Sequence, residues 1–292
     1  MTKVVVISAK DRIYGVNKSF ELFGINPVKD KNVIFKPNFN TPDPPPASSS
    51  METVRQLIIK LGEMGAKSVT LAERSGPVNT AETFKMKGVY DLAKQLNFKI
   101  VDLDNVPRKD YILKKSEEFH WKDGFLFARI YDEAECIVET CCLKTHMYGG
   151  HFTLSLKNAV GLVAKHYMAE LHSSRHQRKM ISEINSVYKP DLIILDGIIS
   201  FVDRGPMEGT RKKANVFIAG TDKIAIDAVG VAILRILGTT PEVSKGSIFD
   251  QEQIKRAVEL GIGITSPNEI EFIFDSKNAE KLVEQIKDKL EI

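Results

Sequence analysis

Short runs of consecutive apolar, mostly β-branched residues recur along this chain, each about as long as a strand. Val4-Val5-Val6-Ile7 and Ile193-Ile194-Leu195 are the plainest. Apolar residues on successive positions do not suit a half-solvated sheet, where the two faces alternate. They fit strands covered on both faces, as in a parallel sheet. The pattern predicts strands over 3–8, 32–36, 68–72, 99–103, 125–131, 135–141, 192–195, 214–219 and 269–274. Between them, Met51, Val54, Leu57, Ile58, Leu61 and Met64 recur at helical spacing, after a Ser48-Ser49-Ser50 cap and before Gly65. Residues 223–237 read as a helix behind Asp222. Ile254, Ala257 and Val258 share a face before Gly261, and Leu282, Val283, Ile286 and Leu290 mark the last helix. This alternation predicts an α/β fold, with mostly parallel sheets and crossover helices. The chain reads as one α/β unit over 1–292. A division into two lobes around a cleft would fall within 142–190, where no linker composition marks it.

Composition narrows the partners. The chain has 41 Lys+Arg against 38 Asp+Glu, mixed along its length, so no basic stripe argues for nucleic acid. No stretch approaches the roughly 20 apolar residues of a membrane helix. Met1-Thr2-Lys3 and the valines after it lack a signal core, so the expectation is a soluble, cytoplasmic protein with no membrane partner. Cys136, Cys141 and Cys142 form no Cys-x-x-Cys pair and cannot supply four thiolates to an iron–sulfur cluster. The Walker, Gly-x-Gly-x-x-Gly, His-Glu-x-x-His and Gly-x-Ser-x-Gly strings are all absent.

The chemistry-bearing residues gather where strands end. Strand 32–36 runs into Lys36-Pro37-Asn38 and strand 68–72 into Glu73-Arg74-Ser75-Gly76. Strand 135–141 leads to Lys144-Thr145-His146, and later strands end in Asp196-Gly197 and Gly220-Thr221-Asp222. In open parallel sheets the ligand crevice lies outside the carboxyl ends of the strands. If these strands are parallel neighbours, Lys36, Asn38, Glu73, Lys144, His146, Asp196 and Asp222 converge there. Gly149-Gly150 would let backbone amides approach a ligand, and a helix beginning near Thr153 would offer an anion-favouring end. Lys157 sits among Leu154, Leu156, Ala159 and Val160, where a buried ammonium needs a partner or a shifted pKa. Asp227, surrounded by aliphatics, would orient a lysine or favour its own helix's positive end. Five of the six histidines lie between 146 and 176. His146 and His151 are candidate ligands for a divalent metal. His172 and His176 have the right spacing too, but Arg175, Arg178 and Lys179 crowd them.

In order, these strings resemble the Domain of Unknown Function 362 family, over roughly residues 30–240. The matching segments are Lys36-Pro37-Asn38 with the proline loop 41–46, Glu73-Arg74-Ser75-Gly76, Lys144-Thr145-His146 and Leu154-Ser155-Leu156-Lys157-Asn158. Pro190-Asp191-Leu192 through Asp196-Gly197, Gly205-Pro206 with Gly209, Gly220-Thr221-Asp222 and Asp227-Ala228-Val229-Gly230 continue the series. Members often carry a ferredoxin-type four-iron module. This chain lacks those cysteines, so no intrinsic iron–sulfur cluster is expected. The order of elements is also similar, more distantly, to the nickel-pincer lactate racemase architecture.

The preferred reading is an enzyme that holds a small anionic molecule at the strand ends and performs proton-transfer or metal-assisted chemistry. His146 would move the proton, with Asp196 or Asp222 orienting it. Lys36, Lys144 and Lys157 would bind carboxylate or phosphate, with Asn38, Glu73, Ser75, Asn158 and Asp222 completing the binding set. Three other readings stay open. They are a redox accessory protein docking a separate ferredoxin, a lactate-racemase-like isomerase, and a non-catalytic nucleotide- or anion-binding module.

Overall fold

The computed structural model describes residues 1–292. Its strands are β1 (Thr2–Ser8), β2 (Asn32–Lys36), β3 (Ser68–Glu73), β4 (Lys99–Asp102), β5 (Tyr111–Lys114), β6 (Phe125–Ala128), β7 (Cys136–His146), β8 (His151–Thr153), β9 (Leu192–Phe201), β10 (Arg211–Lys212), β11 (Val216–Gly220) and β12 (Ile270–Phe274). Ten of them make one sheet in the order β12-β1-β11-β9-β7-β2-β3-β4, with β8 on β7 and β10 on β9. β5 and β6 pair separately.

The five strands from β4 to β9 are parallel, and β1 and β12 are parallel to each other. β11 alone on this path runs antiparallel to both its neighbours, β9 and β1. The fold is therefore mixed α/β with a mostly parallel central sheet. One reversed strand has a large consequence, because its carboxyl end points to the opposite edge of the sheet. Segment 142–190 does not separate two sheets, since β7 and β9 on either side of it are hydrogen-bonded neighbours.

Successive residues of β1 divide between two cores, as period-two geometry requires. Val4 and Val6 pack with the helix Lys223–Leu237. Val5 and Ile7 pack on the other face with the helices Arg12–Phe23 and Met51–Glu63. A third core covers Ile34, Ala72 and Ile137 with Trp121 and the helix Gln177–Ile184. Ile137 and Cys141 have the same parity on β7, so the first and third cores share one face. Sequence and structure differ at two ends. The run expected as a strand over 125–131 leaves the sheet after Ala128 and turns helical over Arg129–Asp132. The strand expected over 135–141 continues to His146, which puts Lys144 and His146 on the strand itself.

Asp196, expected at the cleft, instead ties two helices to β9. Its carboxylate accepts from Arg12 Nε (2.9 Å), Thr53 Oγ1 (2.7 Å) and the Ile198 amide (3.2 Å). Only 5% of Asp196 is exposed, and its removal leaves the largely buried Arg12 guanidinium only the more distant Glu52 carboxylate, at 3.8 Å. Asp196→Ala is expected to cost about 3–5 kcal/mol in urea unfolding and to leave small-anion binding unchanged. Loss of binding in a folded Asp196→Ala protein would return this carboxylate to the site.

Candidate functional site

At the carboxyl ends of β2, β3 and β7 the sheet opens into a cavity of about 830 Å³. Lys36, Asn38, Glu73, Lys144, His146, Lys157 and Asn158, seven of the residues singled out from the sequence, line it. They divide into a locked framework, two lysines that keep unused donors, and the imidazole of His146.

The framework begins at Lys36. Its ammonium donates to Glu73 Oε2 (2.7 Å), the Pro37 carbonyl (2.7 Å) and Asn158 Oδ1 (3.2 Å), which uses all three of its hydrogens. The amides of Phe39 and Arg74 donate to the Glu73 carboxylate at 3.0 and 2.9 Å. Asn158 Oδ1 also accepts from Asn38 Nδ2 at 3.0 Å, and Asn38 Oδ1 in turn accepts from Lys144 Nζ at 3.0 Å. Lys36, Glu73, Asn38 and Asn158, expected to contact a ligand, are thus committed to one another. They set the wall of the cavity.

The free charge lies beyond them. Lys144 donates to Asn38 Oδ1 and the Ala47 carbonyl and keeps one N–H. Burial lowers its pKa to about 8. Lys157 has no hydrogen-bond acceptor or carboxylate at its ammonium. Burial first, then Lys144 and Arg74, lower its pKa to about 7. Arg74 is 3% exposed, and its guanidinium is held by the carbonyls of Val163, Ser75 and Val160, with no carboxylate in contact. Glu73 is the cavity's only carboxylate, and it belongs to Lys36.

His146 and Lys144 lie two apart on β7 and so share a face. Burial, then the charges of Lys157 and Lys144, push the His146 pKa well below the usual imidazole range, so the ring is neutral at pH 7. Its Nδ1 is buried without a partner. Gly150 explains why. A β-carbon there would stand 2.8 Å from both His146 Nδ1 and Lys157 Cε, so only glycine lets the β7–β8 turn close on these two side chains. The amides at the helix start, expected to favour an anion, are already taken. The carboxylate of Asp227 accepts from the Ser155 and Leu156 amides and anchors the turn that carries Lys157.

Other expected residues lie elsewhere. Asp196 contacts Arg12 and Thr53, as described. Asp222 follows the reversed β11, caps the helix Lys223–Leu237 through the Ala225 amide and accepts from Ile264, so it cannot orient His146. Ser75 is buried beside the cavity without lining it. His151 does not line it either and faces Arg178, Glu242 and Glu252. His146 and His151 are opposite each other on β7 and β8, but only His146 lines the cavity. No three His, Cys, Asp or Glu side chains come together, and His146 has lysines as its charged neighbours, a donor set unsuited to a cation. His176 lies against His120 with ring centroids 4.5 Å apart and planes tilted by 41°. The three cysteines are buried free thiols. The site also includes Arg74, Lys165 and Gln177, which the sequence reading did not select. Arg74 belongs to the Glu73-Arg74-Ser75-Gly76 string that follows β3. Lys165 and Gln177 carry no motif.

Residues 33–232 match the family described as Domain of unknown function (DUF362). A curated relative, the thylakoid-associated protein sll1697 of Synechocystis sp., is 28% identical over 160 residues, covering 51% of this chain and 48% of that protein. The match thus spans about half that relative's length. Among solved structures, the lactate racemase apoprotein from Thermoanaerobacterium thermosaccharolyticum is similar at a TM-score of 0.47 and 13% identity, over 97% of this chain and 85% of that one. No helix is long and apolar enough to cross a membrane.

The two kinds of lysine predict opposite mutational signs. Lys36→Met leaves Glu73 buried and unpaired and is expected to lose about 3–5 kcal/mol. Lys157→Met removes a charge that has no partner in the chain and is expected to stabilise the protein. The folded pKa of Lys157 lies below its unfolded value, so its penalty is full below about 7 and fades as pH rises toward roughly 10. Urea unfolding of both variants across that range checks the signs. A destabilised Lys157→Met protein would show that this lysine has a partner.

Proposed function

The chain belongs to the DUF362 family, and we propose that it is an enzyme that binds a small organic anion in this cavity and moves a proton through His146. The observation carrying the reading is the charge imbalance. Lys144, Lys157 and Arg74 surround one pocket whose sole carboxylate is already paired. Cations held at low dielectric without counter-ions oppose one another, and a bound carboxylate or phosphate relieves that opposition. The volume suits a metabolite-sized ligand.

His146 gives the reading its chemistry. In the free protein its neutral ring sits beside charged lysines, which makes protonation costly. A bound anion offsets those lysines and raises the imidazole toward the range where proton transfer is efficient. Nδ1 is enclosed, which leaves Nε2 as the nitrogen that meets a substrate. The ring is then a base that works once its anion has arrived. A binding module would hold the anion without such a proton transfer.

Differential scanning fluorimetry with phosphate, carboxylates and nucleotides at constant ionic strength tests the binding. At a hundredfold excess over Kd, one anion should raise Tm by roughly 4 °C for a chain of this size. The shift should be large near pH 6 and decline as Lys157 and Lys144 lose their protons through about 7 and about 8. It should shrink in Lys157→Met, which leaves Lys144 and Arg74 in place. Equal shifts from every anion, unchanged in that variant, would indicate ordinary surface binding and defeat the proposal.

A further inference from the structure

Lys157 is the one buried lysine of the cavity with no acceptor inside the chain. Lys36 has three and Lys144 two. Its stem is fixed, with Cε against Gly150 beside His146 and its helical turn anchored by Asp227. Its nitrogen is left to the cavity, where Val160, Met168 and Met207 supply apolar wall. A desolvated lysine beside other cations is a poor ammonium and a competent amine, the arrangement by which enzymes prepare a lysine for carbonyl chemistry.

Resting on the anion-binding reading above, we propose that Lys157 Nζ attacks the carbonyl carbon of a small 2-oxo acid and holds it as an imine, with the acid's carboxylate against Lys144 and Arg74. The bonds balance without an oxidant or reductant. The amine lone pair forms the C–N bond, and the carbonyl oxygen becomes the hydroxyl of a carbinolamine. That hydroxyl then leaves as water, whose two hydrogens come from the amine nitrogen. His146 is placed to carry the proton between nitrogen and oxygen. An anion lacking a carbonyl would bind and go no further. The depressed pKa supports the step, since at neutral pH the reactive amine fraction of Lys157 exceeds that of an ordinary lysine by roughly a thousandfold.

The test is reductive trapping on the full chain. Wild-type protein is incubated near neutral pH with pyruvate and sodium cyanoborohydride, digested, and mapped by mass spectrometry. Acetone serves as a neutral carbonyl and inorganic phosphate as a competitor. The expected result is one reduced adduct per chain, on Lys157, suppressed by phosphate and far slower with acetone. Lys157→Met and denatured wild-type protein should show only scattered labelling of surface lysines. Stabilisation by pyruvate and phosphate with no adduct on Lys157 would overturn the imine and leave the anion site standing. No stabilisation by any anion, with acetone labelling Lys157 as readily as pyruvate, would overturn the anion site and this substrate class with it. Should Lys157→Met fold poorly, the wild-type peptide map still decides, because it reads the modified residue directly.

Discussion

The buried pair of Lys36 and Glu73, at 2.7 Å and almost wholly shielded from solvent, is the contact on which the rest of the site depends. Two charges removed from water are tolerable only when they face each other and their remaining hydrogen-bonding capacity is filled. That requirement recruits backbone and side chains from four places. The Pro37 carbonyl, the amides of Phe39 and Arg74 and the amide of Asn158 all converge on the pair. Gly161 is part of the same constraint, since a β-carbon there would lie 2.5 Å from Glu73 Oε1. The pair thereby joins the ends of β2 and β3 to the turn that carries Lys157. Through Asn158 and Asn38 it also fixes Lys144.

What the pair compensates, the neighbouring cations do not. Three buried lysines of one cavity occupy three different conditions. Lys36 is saturated, Lys144 is held but keeps a donor, and Lys157 is held only by its stem. This gradation gives the cavity a direction, from a rigid wall to an unsatisfied charge. Placing like charges together lowers the stability of the empty protein and raises the benefit of filling it. Sites that bind through such stored repulsion trade folding stability for affinity. The neutral His146 follows first from burial and then from the same field, because the cations that attract an anion also disfavour an imidazolium.

Much of this was legible in the sequence, and the exceptions have physical causes. Apolar runs marked the strands because burial on both faces leaves a local signature. Polar strings after those runs located the cavity, because parallel strands bring their carboxyl ends to one edge. Strand direction leaves no such signature. β11 has the composition of its parallel neighbours yet runs the other way, and so Asp222 was expected on the wrong side of the sheet. Asp196 illustrates a second gap, since a carboxylate late in an apolar run looks the same whether it faces a cleft or a helix. The roles of Lys36 and Lys157 were likewise indistinguishable by composition. Only the partners around each ammonium separate a structural lysine from a free one.

The central claim is that Lys157 is a buried cation without a partner, available to an anion. Its side-chain resonance, followed by nitrogen-detected NMR in protein with isotopically labelled lysine and assigned by comparison with Lys157→Met, measures that condition directly. The account predicts a titration midpoint near 7 in the free protein, moving upward when phosphate, an anion without a carbonyl, is added. A midpoint at the ordinary lysine value of about 10.4, unmoved by phosphate, would contradict it.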